Sequence, residues 1–127
     1  MSEEQMRYSE EHMGVKLEGD TARVGLSDFA QAELGELTFI ELPEPGDQFA
    51  RSDVVCSIDS LKAASDIYAP VSCTIREINA ALLESGGPAL VNKDPLGDGW
   101  LFTIALNEIS DLEQLLSEDD YRKLIKT

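Results

Sequence analysis

The sequence is short of the residues on which most protein chemistry depends. It has one histidine, two cysteines and one tryptophan in 127 residues, with ten basic residues against 25 acidic ones. A Ser-His-Asp or Cys-His site needs a histidine placed by tertiary contacts. His12, the only one present, lies in a polar opening segment, so a direct chemical role for it is not expected. A zinc site needs about four ligands, and Cys56 and Cys73 form no CxxC pair, so a metal centre is not expected either. Both cysteines fall in strand-like stretches and read best as small buried hydrophobes, with a disulfide or redox role as the alternative. Gly86-Gly87 and Gly97-Asp98-Gly99 match no phosphate-binding spacing and read as turns.

The shortage of basic residues leaves a net charge of −15. The acids are spread along the chain, a distribution that repels phosphate backbones and argues against nucleic-acid binding. It suits solubility and docking onto basic patches of partner proteins. No apolar run approaches the ~18 residues that cross a bilayer. Met1-Ser2-Glu3-Glu4-Gln5 is acidic and lacks the basic and apolar regions of a secretion signal, so a cytoplasmic protein is expected.

What remains is 43% hydrophobic but only 6% aromatic, fitting one compact domain over 1–127 filled by aliphatic side chains. Residues 1–7 are expected to be flexible. Residues 15–18 and 22–26 alternate as a hairpin around Gly19-Asp20. Ser27 is placed to cap a short helix over 28–34 that ends at Gly35. Strands are expected at 37–42, at 54–58, from 67 to 78 with an interruption at Ala69-Pro70, and at 100–105. Residues 79–87 read as a loop. The period changes near the C-terminus, where helices are expected at 110–116 and 118–125, with Ser117 capping the second. Many short strands with turn signals predict a mainly β fold, a small sandwich or barrel with peripheral helices.

One side chain stands out by position. Lys62 lies in Asp59-Ser60-Leu61-Lys62-Ala63-Ala64-Ser65-Asp66, between two strand-like runs. A lysine at such a turn is held out on a rigid base, where other proteins can reach it. Read alone it is an ordinary solvated lysine. Acylation there would remove its charge and attach a group carrier, and Asp59 and Asp66 could steer partners towards it.

These stretches resemble the H protein family of the glycine cleavage system, a family of lipoyl carriers. Asp59-Ser60-Leu61-Lys62-Ala63 is similar to its lipoylation motif, usually Glu-Ser-Val-Lys-Ala. The resemblance runs from Tyr8 to about Lys126. It includes Val24 to Ala30, Leu34-Gly35-Glu36, Phe39 to Asp47, Ser65 to Ser72, Ile78-Asn79, Asn92 to Pro95 and Gly97 to Trp100. It implies a hybrid barrel-sandwich of the lipoyl-domain type, two small antiparallel sheets with short helices at the ends. Lys62 would carry lipoic acid in amide linkage, with Asp59, Ser60, Leu61, Ala63 and Asp66 as the flank read by a lipoate ligase or lipoyltransferase. The protein would be a non-catalytic, monomeric shuttle for an aminomethyl group. Its partners would be glycine decarboxylase, aminomethyltransferase and dihydrolipoyl dehydrogenase.

The chain departs from the family at particular positions. Members usually follow the early histidine with an acidic residue and a tryptophan, and the acidic one lies near the loaded arm. Here His12 precedes Met13-Gly14, and Cys73 stands where glycine is usual. An alternative is therefore an H-like lipoate-binding protein of cytoplasmic sulfur oxidation, working with a heterodisulfide-reductase-like complex. A biotinyl carrier would place methionine on both sides of the lysine, where Leu61 and Ala63 stand. The remaining alternative is an unmodified β-rich interaction module.

Overall fold

In the computed structural model of the chain, residues 6–18, 21–84, 86–95, 97–106 and 115–126 are described. Strands β1 (Met6–Tyr8), β2 (Met13–Glu18) and β3 (Thr21–Leu26) lead into helix α1 (Asp28–Leu34). Strands β4 (Leu37–Ile40), β5 (Gln48–Phe49), β6 (Val54–Ser60), β7 (Ala64–Tyr68) and β8 (Cys73–Ile78) follow. A 3-10 turn (Ala80–Leu83), helix α2 (Pro88–Lys93), strand β9 (Phe102–Leu106) and helix α3 (Glu118–Lys126) complete the order. The strands form two antiparallel sheets, one in the order β1-β2-β3-β9-β8-β5 and one in the order β4-β6-β7. This is the mainly β arrangement of two sheets with short helices that the sequence predicts.

The period-two alternation of apolar residues explains why the sheets face each other. Val15 pairs with Val24 in register, and Met13 with Leu26, so one face of the β2–β3 hairpin is wholly apolar. β9 adds Phe102 and Ile104, and β8 adds Cys73 and Ile75. From the smaller sheet come Ile40, Cys56, Ile58 and Ile67, joining one continuous core. Cys56 and Cys73 are free and buried, on different sheets. Burial pushes the Cys56 thiol up to about 12, with the Glu41 charge adding to it, and burial alone pushes Cys73 up to about 11. Both are expected to resist iodoacetamide at about pH 8 in the folded protein, because thiolate is the nucleophile. Mass spectrometry should find both labelled only after unfolding, and rapid labelling of the native chain would contradict this.

Helix α1 runs over the residues expected, with Ser27 Oγ accepting from Ala30 N–H at 3.1 Å. Ser27 O accepts from Gln31 N–H, and Gly35 N–H donates to Gln31 O, closing the helix. In α3, Ser117 Oγ accepts from Asp120 N–H at 3.2 Å, as its capping position predicts.

Elsewhere the structure differs from the reading of the sequence. The opening segment is not loose from residue 6 onward, because β1 pairs with β2 and both Tyr8 and Met13 are buried. Its polar composition conceals two apolar side chains that face the core, and residues 1–5 lie outside the described residues. The strand at 37–42 ends at Ile40, and the stretch 67–78 divides into the end of β7 and the whole of β8. The loop at 79–87 contains the 3-10 turn, and Pro88 at the first position of α2 starts a helix that short apolar runs did not reveal. Of the helix expected at 110–116, residues 110–114 lie outside the described residues. Leu115 and Leu116 are not helical, and Leu116 pairs with Tyr8 in an isolated bridge.

Candidate functional site

Lys62 occupies the tip of the β6–β7 hairpin, between Leu61 and Ala63, and all three are exposed. Two-residue hairpin loops ordinarily use positive φ at one or both positions, yet neither Leu61 nor Lys62 adopts it. Ser60 compensates. Its N–H donates to Ala63 O at 2.9 Å, and its hydroxyl oxygen accepts from the N–H groups of both Lys62 and Ala63 at 3.1 Å. The turn is thus closed by a side chain, and serine is the residue type suited to doing so. Asp59, half-buried, pairs across β6 with Phe39 of β4 and with Ala64 of β7.

The lysine does not stand alone above the surface. Gly35, just past the end of α1, has φ 79, and a Cβ built there would lie 3.1 Å from Lys62 Cε. The lysine stem therefore lies against bare backbone, which only glycine offers. Below this bed sits Asn92 of α2. Its side-chain N–H groups donate to Gly35 O at 2.7 Å and to Gln31 Oε1 at 3.0 Å, and its Oδ1 accepts from Leu37 N–H at 2.9 Å. One amide thereby ties α1 and β4 together beneath the lysine. Asn92→Ala leaves Gly35 O and Leu37 N–H without this partner, and a loss of about 1–3 kcal/mol in urea unfolding is expected. An unchanged midpoint would show that water replaces the amide.

Asp66 does not join the lysine at the tip. Four residues on in sequence and within β7, roughly 13 Å away at the usual rise per residue, it lines a cleft of about 280 Å³ between β2, β3, α1 and β7. The floor of the cleft is apolar, with Met13, Leu26, Phe29 and Ile67. Glu11, Glu33 and Asp66 supply its charges, and among the described residues no lysine or arginine lines it. Leu34 and Glu33 bring the wall to within two residues of Gly35, so the lysine bed and the cleft adjoin.

His12 forms part of the same cleft. It sits at φ 72 in the loop between β1 and β2, where its N–H donates to Ser9 O, and Ser9 N–H donates to Met13 O. Its Nδ1 lies 2.7 Å from the Tyr121 hydroxyl, which lies 2.7 Å from Ser27 Oγ. Burial pushes the Tyr121 phenol up, opposed by its bond to Ser27. Met13, where the family places an acid, points into the core. Glu11, two positions earlier, lines the cleft, and its Oε2 accepts from the Ser52 hydroxyl at 3.3 Å.

Sequence reading singled out the hairpin but not the cleft. Its lining comes from four elements and the β1–β2 loop, and Glu11, Glu33 and Asp66 have no spacing that relates them. Asn92 was visible only within a shared motif. Among the described residues, no three His, Cys, Asp or Glu side chains converge to hold a metal ion. No described helix is long and apolar enough to cross a membrane.

The family model described as "Glycine cleavage H-protein" matches residues 6–127. The glycine cleavage system H protein of Carboxydothermus hydrogenoformans is 44% identical over 121 residues, covering 95% of this chain and 92% of that protein. The probable glycine cleavage system H protein of Haloarcula marismortui is also 44% identical over 121 residues, covering 95% and 94%. Among solved structures, the crystal structure of a glycine cleavage system H protein from Mycobacterium marinum superposes with a TM-score of 0.86 at 29% identity, covering 98% of each chain. With a matching model over nearly its whole length and relatives of this identity, the chain belongs to the glycine cleavage H-protein family.

Proposed function

We propose that this protein is the lipoyl carrier of a glycine cleavage system, with lipoic acid joined in amide linkage to Lys62 Nζ. The observation that carries the reading is the placement of Lys62 at a serine-closed turn beside an acid-lined cleft. The chain's residues fit such a group. The amine is exposed for acylation, the bed at Gly35 leaves the stem unobstructed, and the cleft joins an apolar floor to an acidic wall. Once attached, the group supplies a disulfide–dithiol couple able to take up and release a carried fragment. The chain itself orients, shelters and presents.

Charge favours an aminomethyl cargo over sulfur. Glu11, Glu33 and Asp66 would attract a protonated amine, each close contact being worth on the order of 1–4 kcal/mol between bulk water and an effective dielectric of 20. The same carboxylates would repel an anionic sulfur cargo by a similar amount. The partners implied are a lipoate ligase or lipoyltransferase, then glycine decarboxylase, aminomethyltransferase and dihydrolipoyl dehydrogenase. The charge of −15 suits brief, salt-sensitive docking on basic surfaces. No catalytic residue is assigned to the chain, which would act as a cytoplasmic monomer.

The test is loading. Incubated with glycine decarboxylase, glycine and labelled bicarbonate, the lipoylated protein is expected to support exchange of label into glycine. Absence of exchange, together with transfer of sulfur onto the reduced arm, would favour the sulfur-oxidation alternative.

A further inference from the structure

The one histidine has contacts that its hairpin does not require. His12 takes the left-handed position of a three-residue loop, where glycine would be the unstrained choice. Its ring is nevertheless held on several sides. It lies 5.2 Å from the Phe29 ring centroid and edge-on to Tyr121 at 5.6 Å. Its backbone oxygen accepts from Ser27 N–H at 3.0 Å.

A count of protons fixes the direction of the hydrogen-bond chain. Ala30 N–H donates to Ser27 Oγ. Ser27 is buried, and the other partner of its hydroxyl among the described residues is the Tyr121 oxygen. The Ser27 proton therefore goes to Tyr121, since the reverse direction would leave it buried without an acceptor. The Tyr121 proton then goes to His12 Nδ1, which must be the unprotonated nitrogen. A neutral imidazole so held carries its proton on Nε2. Tyr121 engages Nδ1, and His12 lines the cleft, so Nε2 is the ring nitrogen left to be offered there.

We propose that Ser27 and Tyr121 hold His12 as the Nε2-protonated imidazole, giving the cleft a fixed hydrogen-bond donor that seats the lipoyl arm. This rests on the reading that an arm attached at Lys62 docks in the cleft. The chemistry is complementary. Glu11, Glu33 and Asp66 offer acceptors, which suit an amine cargo. The arm itself presents acceptors, its sulfurs and its amide oxygen, and needs a donor. His12 and Ser65 are the donors among the cleft's side chains. Ser27 and Tyr121 are positioning residues, acting through the ring.

The experiment uses the full-length lipoylated chain labelled with 15N-histidine at about pH 8, above the ordinary histidine range. A single histidine makes the assignment unambiguous. Long-range 1H–15N spectra are expected to show Nδ1 bare and Nε2 protonated, and Tyr121→Phe should shift the ring towards a mixture of tautomers. An Nδ1-protonated or mixed ring in the unaltered chain overturns the proposal. The second readout is alkylation of the reduced arm's thiols, with the two buried cysteines serving as an internal background. His12→Gly keeps the left-handed backbone and removes the ring, and should speed alkylation roughly 2- to 10-fold, the effect of one hydrogen bond. Ala30→Trp, which fills the cleft, separates the two readings. If it speeds alkylation while His12→Gly does not, the arm docks without the histidine and the proposal fails. If neither variant changes the rate, docking in the cleft fails with it.

Discussion

Lys62→Arg is expected to abolish lipoylation completely while leaving the fold intact. Co-expressed with an active lipoate ligase, the unaltered chain should gain the mass of one lipoyl group, and the variant none. Arginine keeps the charge and most of the stem, so loss of modification cannot be ascribed to a changed surface. Its guanidinium stays protonated and is no acyl acceptor under these conditions. The exposed position predicts a stability change within about 0.5 kcal/mol, because the turn is closed by Ser60 and not by the lysine. Lys16, Lys93, Lys123 and Lys126 remain as internal controls. Lipoyl mass on the variant would mean that another lysine is the acceptor, and the assignment of the carrier site would fall.

Phe102→Ala should be among the most destabilising single changes. Phe102 is fully buried at the start of β9, paired with Val24 on one side and Ile78 on the other. Truncating it removes the transfer energy of the ring and leaves a cavity that flanking β-branched residues cannot fill. The expected cost is about 3–5 kcal/mol, set against typical domain stabilities of about 5–15 kcal/mol. Urea unfolding followed by fluorescence of Trp100, the only tryptophan, should show a lower midpoint at an unchanged slope. A loss below about 1 kcal/mol would mean that the two sheets collapse into the space. The slope separates that outcome from a change in the unfolded chain.

Local signals were legible where a single rule decided the structure. Ser27 and Gly35 bracket α1, and Ser117 marks α3, because capping depends on one residue type at one position. The lysine hairpin was legible for the same reason. Signals failed where tertiary contact outweighed composition. Met6–Tyr8 is too short and polar to announce a strand, yet β2 supplies the ladder and the core accepts Tyr8. α2 has only six residues, and packing against β4, with the Asn92 amide, holds what propensity would not. Most of all, the cleft was invisible because its walls come from β2, β3, α1 and β7, and the histidine that lines it depends on a tyrosine 109 positions away.

That last separation sets an order for the protein's birth on the ribosome. The β6–β7 hairpin needs only residues close together in sequence and can form while synthesis continues. His12 cannot meet Tyr121, nor Tyr8 pair with Leu116, until the C-terminal stretch has emerged, and closing so long a loop costs on the order of 4 kcal/mol of chain entropy. The hairpin that presents the lysine can thus be complete while the tyrosine that holds His12 in the cleft has yet to arrive.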